Sequence, residues 1–175
     1  MFSDPENNIT QFMLGLGMKV ADLGSGSGFY TMAAAKAVGS DGRVFAVDIQ
    51  KDLLTKLKNG ATQKKIYNIE IVWGDLEHLG GTKLRESSLD AVIVANILFQ
   101  IQNKEALCLE IKRILKAKGK VLVVDWAGSF GGIGPLEKDI VPKSKMTELF
   151  VGHGFEMEKE IGAGAQHYGL IFRKK

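Results

Sequence analysis

Five short runs of mostly apolar residues recur along this chain, separated by intervals long enough to hold a helix. Each run has the length of a strand and is rich in β-branched residues, which is typical of strands buried on both faces of a parallel sheet. The runs occupy residues 20–23, 44–47, 69–72, 91–94 and 121–124. Strands that alternate with helices in this way are joined by right-handed crossovers, so the sequence predicts an open parallel α/β sheet.

The intervals between the runs carry helical signals. An alanine-rich segment follows Gly28 and stops at Gly39, and a leucine stripe indicates a second helix over about 51–58. The clearest helix spans about 104–116, where Asn103 is a suitable N-cap and cations occupy the last turn. These segments are the predicted crossover helices.

The end of the chain departs from this pattern. Strand candidates at 155–158 and 168–172 are separated by a segment at 162–167 that is too short for a crossover helix. This spacing predicts a hairpin, so the last strand is expected to run antiparallel to its neighbours. The glycine-rich stretch 127–142 follows the fifth strand and is predicted to be a mobile loop.

Composition narrows the class of protein. The chain has 175 residues, 45% apolar and 25% charged, which predicts a single soluble domain over 1–175. A net charge of +3 is too small to indicate a nucleic-acid-binding face. No apolar stretch approaches the ~18–20 residues of a membrane span and the first residues lack a secretory signal, so we expect a cytoplasmic protein. One cysteine and three scattered histidines provide neither a disulfide nor the spacing of a metal site.

A glycine-rich turn, DLGSGSG at 22–28, joins the first strand to the first helix. Such a turn lets a ligand approach the backbone closely and points helix N–H groups at an anionic ligand group, which predicts nucleotide binding. The dinucleotide fingerprint G-x-G-x-x-G, counted from Gly24, needs a glycine at position 29, and that residue is Phe29. We therefore do not expect NAD to bind.

Three acids end three successive predicted strands. They are Asp22, Asp48 and Asp75. Because ligands of open α/β sheets bind outside the carboxyl ends of the strands, Asp48 can accept both hydroxyls of a ribose and Asp75 can accept an adenine amino group. Any one of these acids could simply cap a helix, but all three together predict a nucleoside site.

With these motifs the chain resembles the class I S-adenosylmethionine-dependent methyltransferases, in particular the small type 11 and ubiquinone/menaquinone-biosynthesis methyltransferases. The motifs that carry the resemblance occur in order at 20–28, 47–48, 74–76, 89–96 and 113–120. The resemblance implies S-adenosylmethionine as the cofactor. It also implies an α/β fold with a Rossmann-like open seven-stranded sheet, order 3-2-1-4-5-7-6, with strand 7 antiparallel and helices on both faces.

The resemblance further implies which residues hold the cofactor. Asp22 and the glycine turn hold the methionine end, and Asp48 holds the ribose. Asp75 and Leu76 hold the adenine, and Asn96 lies beside the methionine. The predicted cofactor-binding set is Asp22, Gly24, Ser25, Gly26, Gly28, Tyr30, Asp48, Ile49, Gly74, Asp75, Leu76 and Asn96.

The methyl acceptor is less constrained. No prolines follow Asn96, which argues against the N-P-P-Y type of amino-group methyltransferase, and a single cysteine argues against arsenite as the acceptor. Only about 17 residues precede the first strand, where many relatives carry helices that roof the substrate site. We expect a small or lipid-like acceptor because apolar side chains would surround the crevice. They are Leu98, Phe99, Trp126 and Phe130.

Two other functions stay open at this point. A protein or RNA methyltransferase would show a basic patch near the crevice. A non-catalytic S-adenosylmethionine-binding module would show an apolar patch beyond about 600 Å² elsewhere on the surface.

If the acceptor must lose a proton, the ionisable candidates for catalysis are Asp125, His167 and Tyr168, together with Tyr30 next to the glycine turn. If strand 7 inserts beside strand 5, His167 and Tyr168 begin next to the place where Asp125 and Trp126 end. We therefore predict that two ionisable groups and two aromatic rings converge at the methyl group, with the stretch 127–142 as a lid.

Overall fold

A computed structural model describes residues 3–129 and 134–175 as one mixed sheet with helices on both sides. The strands are β1 (Lys19–Leu23), β2 (Arg43–Asp48), β3 (Ile69–Trp73), β4 (Leu89–Ala95), β5 (Leu115–Trp126), β6 (Phe155–Ile161) and β7 (His167–Lys174). The helices are α1 (Pro5–Phe12), α2 (Phe29–Val38), α3 (Lys51–Gln63), α4 (Lys104–Ile114) and α5 (Lys143–Gly152). Residues Glu137–Asp139 form a 3-10 turn.

The strand order confirms the predicted fold class. The sheet runs β3-β2-β1-β4-β5-β7-β6. Pairs among β1 to β5 are parallel, whereas β7 is antiparallel to both β5 and β6. The order reverses between β1 and β4, and such a reversal opens a crevice at the carboxyl ends of the strands.

The hydrophobic core lies on both faces of the sheet. On one face, Val92 and Val94 of β4 pack in a cluster with residues of α4 and α5, including Ile111 and Phe150. On the other face, Ile93 packs in a cluster with residues of α1 and α2. Successive residues of a strand point to opposite faces, which explains why the buried strands read as continuous apolar runs.

The helices differ from the predicted ones mainly in length. The helix α3 continues past residue 58 to Gln63 because its buried face continues from Leu57 to Ala61. The helix α1 was not predicted, although Asp4 accepts a hydrogen bond from the Asn7 N–H as its N-cap and Pro5 occupies the first turn.

The predicted lid stretch is described only in part. The structure describes it at 127–129 and 134–142, and Phe130 lies outside the described residues.

Within the described part of the chain, no helix is long and apolar enough to cross a membrane.

Candidate active site

A cavity of about 860 Å³ lies at the carboxyl ends of the central strands, where the strand order reverses. This volume is typical of small-molecule sites. Of the predicted cofactor-binding set, all members except Gly28 line the cavity. Gly28 instead caps α2 in the left-handed region, with φ +83°, and a Cβ atom there would overlap Leu57.

The glycine turn is anchored to β2 and open toward the cavity. The N–H groups of Gly24 and Ser25 donate to the Val47 carbonyl at 2.8 and 3.0 Å. Gly24 has φ +75°, and a Cβ atom there would overlap the Ile97 side chain. Gly26 has φ +51°, and a Cβ atom there would meet nothing within 4 Å. The turn therefore packs tightly at Gly24 and leaves free space for a ligand at Gly26.

Asp48 connects the end of β2 to this turn. Its carboxylate is buried and accepts the Gly26 N–H and the Gln50 N–H, each at 2.8 Å. Each carboxylate oxygen has a further lone pair, so the group can still accept ligand hydroxyls. The same contacts hold the carboxylate in a fixed orientation.

Asp22 is buried at the end of β1, where Thr31 Oγ1 donates to its carboxylate at 2.6 Å. Burial raises the pKa of Asp22 from 3.8 to about 6, and the Thr31 hydrogen bonds oppose the rise. A buried carboxylate is costly without a partner, so a cationic group bound at this end of the cavity would stabilise its charged form.

The residues that follow β3 form another wall of the cavity. Asp75 accepts the Glu77 N–H at 2.9 Å and contacts His78 Nδ1 at 3.0 Å. Ile49, which is exposed, and Leu76, which is buried, add apolar surface to the same cavity. An apolar wall beside a carboxylate suits a flat base with an amino group.

Beside the glycine turn and the end of β4, two buried polar atoms of the cavity have no partner within the described residues. They are Ser25 Oγ and Asn96 Oδ1. Asn96 also has φ +57°, which is uncommon for a residue with a side chain and is found at functional sites. Because buried polar groups are normally hydrogen-bonded, both atoms fit a site that binds a polar ligand such as S-adenosylmethionine.

The opposite end of the cavity is formed by Trp126 and His167. These residues pair in register across β5 and β7, and their ring centroids lie 4.4 Å apart with planes tilted by 38°. Asp125 pairs with Tyr168 in the same ladder. The predicted neighbours are therefore adjacent in the sheet.

The predicted convergence of all four side chains is nevertheless wrong, because successive residues of a strand face opposite sides. Trp126 and His167 line the cavity, whereas Asp125 and Tyr168 do not. Tyr168 belongs to the core beneath α4 and α5, where burial raises the pKa of its hydroxyl. Of the four ionisable candidates, the structure brings His167 and Tyr30 to the cavity.

Asp125 has a structural task in the described residues. Its carboxylate accepts the N–H groups of Ile97, Leu98 and Trp126 at 3.2, 2.8 and 2.8 Å, and burial raises its pKa. These bonds fix the loop after β4, which contributes Ile97 to the cavity. Asp125 thus positions residues that line the cavity, although its own side chain does not line it.

The predicted apolar surroundings of the crevice are only partly correct. Trp126 lines the cavity, but Leu98 is fully buried in the core and Phe99 does not line the cavity. The loop after β4 turns inward at Leu98, and Ile97 and Ile101 supply the apolar lining instead.

The segment 3–12, called the roof below, was not predicted from the sequence. Ser3 and Pro5 line the cavity, because α1 packs on α2 and carries its own start to the cavity rim. The Tyr30 hydroxyl anchors this segment through Asn8 Nδ2 at 2.7 Å and Ser3 Oγ at 2.6 Å. The sequence Asp4-Pro5-Glu6 is a helix start and could have predicted α1.

The ionisable side chains of the cavity are mainly acidic. Its described lining includes Asp22, Asp48, Asp75 and Glu77 but no lysine or arginine. Within residues 3–129 and 134–175, no group of three or more His, Cys, Asp or Glu side chains could hold a metal ion.

Comparison with known proteins agrees with this geometry. The family described as a methyltransferase domain matches residues 14–170. An arsenite methyltransferase of Halobacterium salinarum is 30% identical over 62% of this chain and 27% of its own length. A ubiquinone/menaquinone biosynthesis C-methyltransferase of Cupriavidus pinatubonensis is 30% identical over 70% of this chain and 47% of its own length. The chain thus spans about a quarter to a half of these curated relatives.

The fold has counterparts among solved structures. A SAM-dependent methyltransferase from Aquifex aeolicus superimposes with a TM-score of 0.89 at 22% identity, over 98% of this chain and 90% of the other. Since the family match covers most of the chain, this protein belongs to the methyltransferase domain family, whose cofactor is S-adenosylmethionine.

Proposed function

We propose that this protein transfers the methyl group of S-adenosylmethionine to a small neutral acceptor bound in the same cavity. The observation that carries the proposal is that one cavity extends from the acids and glycine turn at the ends of β1 to β3 as far as Trp126 and His167. Donor and acceptor can therefore lie in one enclosed space, which a transfer reaction requires.

The chain's own residues would bind and orient the donor. Asp48 faces the cavity in a position to accept ribose hydroxyls, and Asp75 lies beside apolar surface suited to adenine. The buried carboxylate of Asp22 is suited to the cationic methionine end. The bound cofactor supplies an already activated sulfonium methyl group, so alignment of the two partners accounts for most of the catalysis, on the order of 7–11 kcal/mol.

The lining of the cavity supports a small acceptor over a nucleic acid. Its described lining lacks lysine and arginine, whereas a nucleic-acid substrate would be held by cations at its phosphates. The indole ring of Trp126 gives the acceptor end an apolar surface that suits a lipid-like or quinone-type molecule.

Arsenite, the substrate named for one relative, is a poor match for the residues of this chain. Thiolates are the ligands that bind soft metalloids, and the single cysteine, Cys108, is fully buried in α4. Burial also raises the pKa of the Cys108 thiol to about 12. The proposed acceptor is therefore organic.

Calorimetry tests the donor site directly. We expect S-adenosylhomocysteine to bind the wild-type protein and NAD not to bind. Asp48→Ala should weaken S-adenosylhomocysteine by about 1.5–3 kcal/mol, the range for hydrogen bonds to a charged group. The variant should stay folded but unfold more easily, because Gly26 and Gln50 each lose an acceptor. Asp41→Ala, at an exposed aspartate, is the matched control and should change neither quantity.

Transfer is tested with a radiolabelled methyl donor and fractionated cell extract. Label in a fraction of small organic molecules supports the proposal, and label in protein or RNA contradicts the acceptor class. Binding of S-adenosylhomocysteine without label in any fraction would favour a non-catalytic binding module. Tight NAD binding without S-adenosylhomocysteine binding would contradict the donor itself.

A further inference from the structure

The imidazole of His167 is a buried polar group that the fold itself does not use. The residue is 8% exposed, it lines the cavity, and neither Nδ1 nor Nε2 has a hydrogen-bond partner within residues 3–129 and 134–175. Buried side-chain nitrogens are nearly always hydrogen-bonded, because burial without a partner costs free energy. Two buried nitrogens without a partner in the described residues, on a side chain that lines the cavity, therefore point to a ligand that contacts the imidazole.

The ring of His167 is held in place by its neighbours in the sheet. His167 begins β7 opposite Trp126 of β5, and the two rings lie 4.4 Å apart. The hairpin before it is fastened to β5 by the Ala127 N–H, which donates to the Gln166 carbonyl at 2.8 Å. His167 is thus positioned by the sheet and by an aromatic neighbour, as a group that contacts substrate must be.

The surroundings of His167 favour the neutral form of its imidazole. Burial lowers the pKa of His167, and no ion pair opposes the change within the described residues. The nearest carboxylate along the strands, Asp125, already accepts three backbone N–H groups. Tyr168 faces the other side of the sheet, and the acids of the cavity end β1, β2 and β3 or follow β3. A neutral imidazole offers one N–H donor and one bare nitrogen acceptor.

We propose that His167 is the catalytic residue that takes the proton of the methyl acceptor, and that the acceptor is a neutral aromatic molecule whose hydroxyl lies against it. This inference rests on the proposed function and names the acceptor chemistry of the same cavity. In the step, the acceptor's O–H bond breaks and its proton passes to the bare nitrogen of His167. The acceptor oxygen gains the methyl group, while the carbon–sulfur bond of the sulfonium breaks and its electron pair stays on sulfur as a neutral thioether. The imidazolium then releases its proton to water.

The surroundings favour a hydroxyl over an ammonium group. An ammonium needs a carboxylate partner, and the acids that line the cavity lie on or after β1, β2 and β3, whereas Trp126 and His167 lie on β5 and β7. A hydroxyl both donates to and accepts from a neutral imidazole. The indole ring of Trp126 is a suitable surface for a flat apolar molecule.

Two small probes that differ at one group test this assignment. They are 1-naphthol and 1-methoxynaphthalene, the second being what the step would make from the first. Titrated calorimetrically into protein saturated with S-adenosylhomocysteine, 1-naphthol should bind about tenfold more tightly, the contribution of one buried hydrogen bond. His167→Phe keeps an aromatic ring against Trp126 but removes both nitrogens, so this variant should bind the two probes with about equal affinity.

Two measurements separate this test from that of the proposed function. S-adenosylhomocysteine affinity should be equal in wild type and His167→Phe within about twofold, which shows that the variant is folded and the donor site intact. His153→Phe, at a histidine whose Nδ1 bonds the Leu149 carbonyl outside the cavity, is the matched control and should keep the tenfold preference. Equal binding of the two probes to wild type, no binding of either at millimolar concentration, or a preference retained by His167→Phe overturns the inference. Failure of the wild type to bind S-adenosylhomocysteine overturns the proposed function and this inference with it.

Discussion

The two ends of the cavity are built in different ways. At the donor end, Asp75 is oriented by the N–H group of Glu77, and Asp48 by the N–H groups of Gln50 and of Gly26 in the glycine turn. At the acceptor end, Trp126 and His167 are far apart in the sequence and meet only because β7 inserts beside β5. The acids of the donor end are therefore oriented by backbone N–H groups, most of them close by in the sequence. The acceptor end depends on tertiary register, and the imidazole of His167 has no hydrogen-bond partner within the described residues.

The largest expected effect is a difference in the free energy of unfolding between two substitutions in the glycine turn of the donor end. Gly24→Ala should lower the free energy of unfolding by about 2–4 kcal/mol, because a left-handed backbone and an overlap with Ile97 both penalise the added Cβ atom. Gly26→Ala should cost only about 1 kcal/mol, since its Cβ atom meets open space. Urea unfolding of both variants measures this difference.

Gly26→Ala should weaken ligand binding even though it has the smaller effect on stability. The Cβ atom of Gly26→Ala enters the space proposed for the donor, so S-adenosylhomocysteine affinity should fall although the fold is nearly intact. A Gly26→Ala protein that binds S-adenosylhomocysteine as tightly as wild type would contradict the placement of the donor at this turn.

The second prediction uses pH to distinguish the two ends. The pKa of Asp22 is raised to about 6, and its charged form is the one proposed to bind a cationic group. Affinity for S-adenosylhomocysteine should therefore be constant above about pH 7 and fall as the pH drops through 6, by about tenfold at pH 5. The contribution of Asp22 to the stability of the unliganded protein depends on pH in the opposite direction. Since the folded state raises this pKa, Asp22 disfavours folding increasingly as the pH rises from about 4 to 6.

Asp22→Asn supplies the control for this prediction, because its amide oxygen can still accept the Thr31 hydroxyl. The variant should bind S-adenosylhomocysteine weakly and with little dependence on pH. If calorimetry shows the wild-type pH dependence retained in Asp22→Asn, the titrating group lies elsewhere in the cavity.

The same contrast explains what the sequence could predict. The strand runs and crossover spacing predicted the sheet, and the six-residue hairpin predicted the reversal of β7. The predicted cofactor-binding residues line the cavity with the exception of Gly28. The predictions of the sheet and the hairpin depend on residues close together in the chain, whereas the strand order and the cofactor-binding set were implied by the resemblance to class I methyltransferases.

The errors concern side chains whose direction depends on distant partners. Register alone placed Asp125 beside Tyr168, but the pleat turned both away from the cavity. Leu98 was expected at the crevice, yet the N–H bonds from Ile97 and Leu98 to Asp125 set the turn that buries it. The roof formed by α1 was missed although its capping residues are present in the sequence. Neither the pleat direction nor the docking of α1 can be read from local spacing.

The smallest expected effect concerns Tyr30, which lies in the predicted cofactor-binding set but whose hydroxyl holds the roof. Tyr30→Phe should lower the free energy of unfolding by about 1 kcal/mol, because the buried amide of Asn8 loses one of its two acceptors and keeps only Ser3 Oγ. Tyr67→Phe, at an exposed tyrosine, should have no effect. If the hydroxyl serves only the roof, S-adenosylhomocysteine affinity should change by less than about threefold, since the phenyl ring still lines the cavity. A loss beyond about tenfold would instead assign the Tyr30 hydroxyl to the donor end, where it would bind the cofactor directly.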